Sequence, residues 1–244
     1  MVKDFKIVHE SEIDGTPDAV FFAATEGNSG WLWPSPGGLE KTVGGAGPMG
    51  STVTAWDPPH HYASRMEGPN GFYNELEFEI SQRPGGKSWL RYVHSGVLFG
   101  DWEKQYDGAA KHSAFYIHTL GQYVKYFAGK QAGFADVQGP AASSSPEAFE
   151  AVKAALGIHG AGAGGHVSVA IAGLGTVDAV VDYLDPNFVG LRTEDAMYRF
   201  FGRNAFGAVV GMTVHLFADG ADAEAAGTEV AGAAWSAWLN KLFA

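Results

Sequence analysis

The chain has 244 residues, 46% of them hydrophobic and 13% aromatic, which is enough to bury a large core without a metal or disulfide staple. Cysteine is absent, so disulfides, thiolate metal sites and a cysteine nucleophile are excluded. With 16 Lys plus Arg against 27 Asp plus Glu, the net charge of −11 repels phosphate backbones and anionic lipid, and neither nucleic acid nor a membrane is an expected partner.

The chain begins MVKDFKIVHESEI, without the basic patch and apolar stretch of a secretory signal, and no run reaches the ~18 apolar residues of a membrane span. A cytoplasmic protein is the expectation. In residues 5–13, Phe5, Ile7, His9, Ser11 and Ile13 share one side of a period-two pattern, and Lys6, Glu10 and Glu12 share the other. This spacing predicts a strand with one wet face. Asp14-Gly15 turns the chain, Thr16 caps a helix that has Pro17 at its first position, and the helix runs to about Thr25. Residues 26–36, with Trp31 and Trp33, read as a short irregular helix or loop.

Strands are expected at 40–44, 51–56, 61–66, 72–81 and 87–95, separated by Gly-rich segments or by Pro-containing turns that suit antiparallel hairpins. In the clearest of them Phe72, Asn74, Leu76, Phe78 and Ile80 alternate with Tyr73, Glu75, Glu77, Glu79 and Ser81, giving one apolar and one acidic face. Asp101 then caps a long helix to about Ala128, with an apolar stripe through Trp102, Tyr106, Ala109, Ser113, Tyr116 and Ile117 and on to Phe127. Neither element can leave its apolar face in water, so the helix is expected to lie in the hollow of the sheet.

Residues 131–145 are small, polar and Gly/Pro/Ser-rich, and read as a linker between a first domain, 1–130, and a second, 146–244. The second domain is expected to hold a helix at 146–156, a Gly-rich bend at 160–165, strands at 166–172, 176–184, 188–192 and 208–217, and a closing helix at 224–243. Residues 193–201 suit both a helical turn capped by Thr193 and a strand. An internal repeat is visible: 52–65 and 179–193 both read strand, Asp-Pro turn, strand, with Asp57-Pro58 matching Asp185-Pro186. The second copy has no evident counterpart of the first strand and first helix, so a shortened unit packed on the first is expected.

The combination of His9-Glu10, Glu12-Ile13-Asp14 and Thr16-Pro17-Asp18-Ala19-Val20 with Val53-Thr54-Ala55-Trp56-Asp57-Pro58-Pro59, His94-Ser95-Gly96 and Asp101-Trp102-Glu103 resembles the START/SRPBCC superfamily. Within it, the chain is most similar to the branch named after activators of the heat-shock-protein-90 ATPase. The resemblance covers residues 1–130, and the second unit shares only element order and the Asp-Pro turn. It implies an α+β helix-grip fold, an antiparallel curved sheet wrapped round a long C-terminal helix, here in tandem, with a cavity between sheet and helix. Relatives bind lipids, sterols, plant metabolites or polyketides, some cyclise or dehydrate polyketide chains, and some confer self-resistance in natural-product producers. These motifs are turns, caps and packing aromatics, so they specify fold more than activity.

No metal site or cofactor is expected: no His-Glu-x-x-His occurs, His60-His61 sits in a turn, and His112 and His118 fall on different helix faces. The glycine run 157–165 lacks the Gly-Lys-Ser/Thr ending of a phosphate loop, and no Gly-x-Ser-x-Gly elbow is present. Candidate ligand-binding residues are Trp31, Trp33, Trp56, Phe72, Asn74 and Leu76, followed by Tyr92, His94, Trp102, Tyr106 and Tyr116. Asn74 stands out as an amide on an apolar strand face, and Tyr92 with His94 forms the candidate acid-base pair. The expected function is to hold or carry an apolar metabolite of polyketide, polyene or lipid type in natural-product biosynthesis or self-resistance. A polyketide cyclase or dehydratase and a chaperone-adaptor module are the alternatives.

Overall fold

The computed structural model describes residues 2–35, 37–158, 162–218 and 221–244, and the chain divides into two compact units, Met1–Lys130 and Gln131–Ala244. Among the described residues no helix is long and apolar enough to cross a membrane, and no group of three or more His, Cys, Asp or Glu could hold a metal ion.

The first unit contains β1 (Val2–Ile13), α1 (Pro17–Ala24), β2 (Thr52–Asp57), β3 (His61–Glu67), β4 (Tyr73–Arg83), β5 (Lys87–Phe99) and α2 (Trp102–Phe127). Local chemistry sets both helix starts: Thr16 Oγ1 accepts from the Ala19 N–H at 3.3 Å, and the Asp101 carboxylate accepts from the Lys104 N–H at 3.3 Å. The strands form one antiparallel sheet in the order β1-β5-β4-β3-β2. Its outer face carries Glu75, Glu77 and Glu79, paired with Arg65, His61 and Arg91. Its inner face carries Tyr62, Phe78, Leu90 and Tyr92, all buried, and α2 packs there with Phe115, Ile117, Leu120 and Phe127 buried. This is the helix-grip arrangement. Residues 40–44, expected as a strand, form a loop, from which the Gly44 N–H donates to the Val53 carbonyl at 2.8 Å, and an isolated bridge joins Ala46 to Thr52 just beyond it. The Glu40 carboxylate accepts from the Ala46 N–H at 3.0 Å and Gly44 takes φ +84, which together fold the segment back on itself.

The second unit contains β6 (Gly133–Gln138), α3 (Ala148–Ala155), β7 (His166–Ile171), β8 (Gly175–Leu184), β9 (Phe188–Arg192), β10 (Ala196–Phe201), β11 (Gly211–Leu216) and α4 (Ala221–Leu242), with sheet order β6-β11-β10-β9-β8-β7. Two expectations are corrected. The segment 131–145 is not a plain linker, because β6 lies within it and pairs with β11 as β1 pairs with β5. The second copy therefore has its first strand, and α3 follows as α1 does, so it is not shortened. Residues 196–201 resolve as strand β10, entered through a turn in which the Thr193 N–H donates to the Ala196 carbonyl at 3.0 Å. Within the expected bend at 160–165, residues 160 and 161 lie outside the described residues. Gly164 and Gly165 exchange backbone hydrogen bonds with Val181 at 2.8 Å.

The two Asp-Pro turns bring the sheets into a common register. With Asp57 matched to Asp185, the row Val53, Ser64, Leu76, His94 across β2 to β5 corresponds to Val181, Leu191, Tyr198, Val214 across β8 to β11. The row Trp56, Tyr62, Phe78, Tyr92 corresponds to Leu184, Val189, Phe200, Met212. Even the register breaks coincide, between Val53 and Ala55 in one sheet and between Val181 and Tyr183 in the other. The sequence repeat is thus a structural one, strand for strand, with β7 as an addition to the second unit.

Candidate functional site

Between the inner face of the first sheet and the middle of α2 lies a cavity of about 350 Å³, at the small end of the ~300–1,000 Å³ typical of ligand pockets. Three groups of residues wall it. The segment after α1 contributes Trp31, Leu32, Trp33, Pro48 and Met49; the strands contribute Tyr62, Ser64, Asn74, Leu76, Tyr92 and His94; α2 contributes Ala109, His112, Ser113, Tyr116 and Ile117. Trp31 is fixed by its indole N–H, which donates to the Ala23 carbonyl at 2.8 Å. Trp33 meets Tyr116 edge-on at 6.0 Å, and Tyr116 meets His112 at 5.9 Å, so these three form an aromatic corner.

One side of this apolar space is polar and ordered. Asn74 Oδ1 stands 2.7 Å from His94 Nε2, and Ser113 Oγ stands 3.2 Å from His94 Nδ1. The Tyr92 ring lies beside that of His94, with ring centroids 6.5 Å apart. Burial, reinforced by nearby His9, lowers the His94 pKa from 6.5 to about 4, so the imidazole is neutral near pH 7. A neutral imidazole has one N–H, and the Asn74 oxygen can only accept. Nε2 therefore bears the proton and donates to Asn74, while Nδ1 accepts from the Ser113 hydroxyl. Burial also raises the Tyr92 phenol, which stays protonated. Phe5 presses edge-on against the His94 ring at 4.9 Å, and Gly96 makes room for it, since a Cβ there would stand 2.8 Å from Phe5 and 2.5 Å from the Tyr73 carbonyl.

No family model matches the chain, and no curated protein matches it. Solved structures do. The protein MLL2253 from Mesorhizobium loti is 20% identical, with a TM-score of 0.41, over 50% of this chain and 98% of its own. DynU16, from the dynemicin biosynthetic locus, is 15% identical, with a TM-score of 0.41, over 97% of each chain. The di-domain ARO/CYC BexL, from the BE-7585A biosynthetic pathway, is 11% identical, with a TM-score of 0.41, over 98% of each chain.

Of the residues singled out in the sequence, Trp31, Trp33, Asn74, Leu76, Tyr92, His94 and Tyr116 come together on the cavity. Four do not. Trp56 packs against Phe21 and Tyr62, Phe72 stacks on Phe99, and Trp102 stacks on Tyr106 at 4.8 Å with the Lys3 ammonium over its ring. Their spacing places them on the correct stripe or strand, but beyond the ends of the hollow. Sequence reasoning did not assign Tyr62, Ser64, His112 or Ser113 to the site; Tyr62 and Ser64 share one side of β3, and Ser113 lay on the α2 stripe as a core position.

In the second unit the described residues at the same place are buried, mostly apolar side chains. Trp235 of α4 is fully buried and makes ring contacts with Tyr198 at 5.3 Å and Phe200 at 5.4 Å. The register matches of His94, Tyr92 and Ser64 are Val214, Met212 and Leu191, and Asn74, paired with Gly96, matches Ala196, paired with Leu216. All four of these apolar counterparts are 0% exposed.

Proposed function

We propose that the unit formed by residues 1–130 binds a compact, mainly apolar small molecule in its cavity and holds it without altering it. The observation that carries this is the contrast between the register-matched copies. Among the described residues the same framework carries buried apolar side chains at the matched positions of the second unit, which supports the reading that neither the hollow nor its polar wall is needed for folding. Leaving it open forgoes packing, a cost that a ligand can offset. At ~30 Å³ per water, 350 Å³ has room for about a dozen waters, which suits a bicyclic or tricyclic molecule better than a long acyl chain.

The cyclase or dehydratase reading requires a base that reaches the substrate. Both ring nitrogens of His94 are engaged, by Asn74 and Ser113, and a pKa near 4 leaves the imidazole a weak base, which favours binding over catalysis. The test is native mass spectrometry of freshly purified protein, with titration of the tricyclic hydrocarbon fluorene followed by tryptophan fluorescence, since Trp31 and Trp33 line the cavity. A retained small molecule, or saturable quenching of about one fluorene per chain, is the expected result. No retained compound and no saturable binding would dismiss the proposal.

A further inference from the structure

Resting on that reading, we infer that the ligand of this cavity carries an oxygen acceptor of carbonyl type, anchored by the amide N–H groups of Asn74, with His94 and Ser113 as the residues that hold the amide in its donating orientation. The chain of hydrogen bonds fixes the direction. Because His94 Nε2–H donates to Asn74 Oδ1 at 2.7 Å, the Asn74 side chain turns its oxygen toward the histidine and its nitrogen away. Ser113 enforces this from the far end by occupying Nδ1 as a donor at 3.2 Å, which leaves the single imidazole proton on Nε2.

Both ring nitrogens of His94 and the Asn74 oxygen are thereby used inside the protein, whereas the Asn74 amide nitrogen has no protein partner among the described residues although Asn74 lines the cavity. Two N–H donors facing an apolar space are suited to a carbonyl oxygen with two lone pairs. A hydroxyl can also accept there. The matched positions in the second unit, Ala196, Val214 and Met212, show that the framework itself does not call for the cluster.

The test compares fluorene with fluorenone, the ketone of the same ring system, by calorimetric titration of the full chain. Fluorenone is expected to bind about five- to tenfold more tightly, the usual worth of one neutral hydrogen bond. Asn74→Leu, close in volume, should abolish that preference while retaining fluorene binding. Ser113→Ala should reduce the fluorenone-to-fluorene ratio, which a purely structural defect would leave unchanged because it would weaken both ligands alike. Long-range imidazole nitrogen–proton NMR should place the His94 proton on Nε2. Equal affinity for the two ligands in the native chain, or a His94 proton on Nδ1, would overturn the anchor while leaving the cavity as a binding site. Binding of neither ligand would overturn the binding reading and the anchor with it.

Discussion

Leu76→Tyr places in the first unit the residue that stands at the same sheet position in the second, where Tyr198 packs against Trp235. Leu76 lines the cavity, so the larger side chain has about 350 Å³ to grow into and needs no movement of the sheet. A phenol ring there buries roughly 50 Å² more apolar area than an isobutyl group, about 1.3 kcal/mol at ~25 cal/mol per Å². Imperfect packing and the Tyr hydroxyl subtract from this, leaving an expected gain of about 0.5–1 kcal/mol, or a rise of about 2–6 °C in the melting temperature of the unit. The same ring fills the volume a ligand would occupy, so fluorene binding should fall at least about tenfold. Thermal denaturation monitored by circular dichroism, with and without fluorene, reads both effects. If Leu76→Tyr costs about 2 kcal/mol or more, as overpacking of a filled core does, or leaves fluorene affinity unchanged, the cavity is not space that a larger side chain can enter.

Three further outcomes follow from the same geometry. Because the His94 pKa falls from 6.5 in the unfolded chain to about 4 in the folded one, its contribution to stability is complete above pH 6.5 and is lost as the pH falls toward 4. Relative to His94→Val, the native chain should lose about 2–3 kcal/mol across that interval in urea denaturation, and a constant difference would contradict a buried neutral imidazole. In the second unit, Arg199 is 1% exposed and its guanidinium meets the Asp182 carboxylate at 2.7 Å, so Asp182→Ala should cost about 3–5 kcal/mol in urea denaturation by leaving a buried charge uncompensated. Trp235→Ala should cost a similar ~3–5 kcal/mol and open a second apolar hollow, raising fluorene stoichiometry from one to two per chain in calorimetry.

Much of the framework could be read from residue order because its signals are local. The alternation in β4, the caps at Thr16 and Asp101, the stripe of α2 and the paired Asp-Pro turns each arise from neighbours within a few residues. Strand β6, with sequence GFADVQ, escaped because Gly133 and the polar Asp136 and Gln138 mimic a linker, and only pairing with β11 makes it a strand. Gly133 is itself required there, since a Cβ would collide with Thr228. The candidate site was legible in its faces but not in its depth. Period-two and helical spacing say which side of an element a residue occupies, and so grouped Phe72, Trp56, Trp102 and Tyr106 with the true lining. Where the space opens depends instead on small side chains meeting across elements, Ala109 and Ser113 on α2 facing Ser64 and Asn74 on the sheet. No run of sequence contains that coincidence. The hydrogen-bonded order of Asn74, His94 and Ser113 likewise joins three elements separated along the chain.

One apolar wall of the pocket and its hydrogen-bonding groups belong to different kinds of backbone. Trp31, Leu32, Trp33, Pro48 and Met49 come from the connecting segment between α1 and β2, whereas Asn74, His94 and Ser113 sit on paired strands and a long helix. Connecting segments accept substitutions and changes of length that a hydrogen-bonded ladder does not. Tolerance for the size and shape of the guest can therefore drift among descendants of this protein while the grip on its oxygen stays constant, so selectivity for the carbon skeleton and selectivity for the functional group are free to evolve apart.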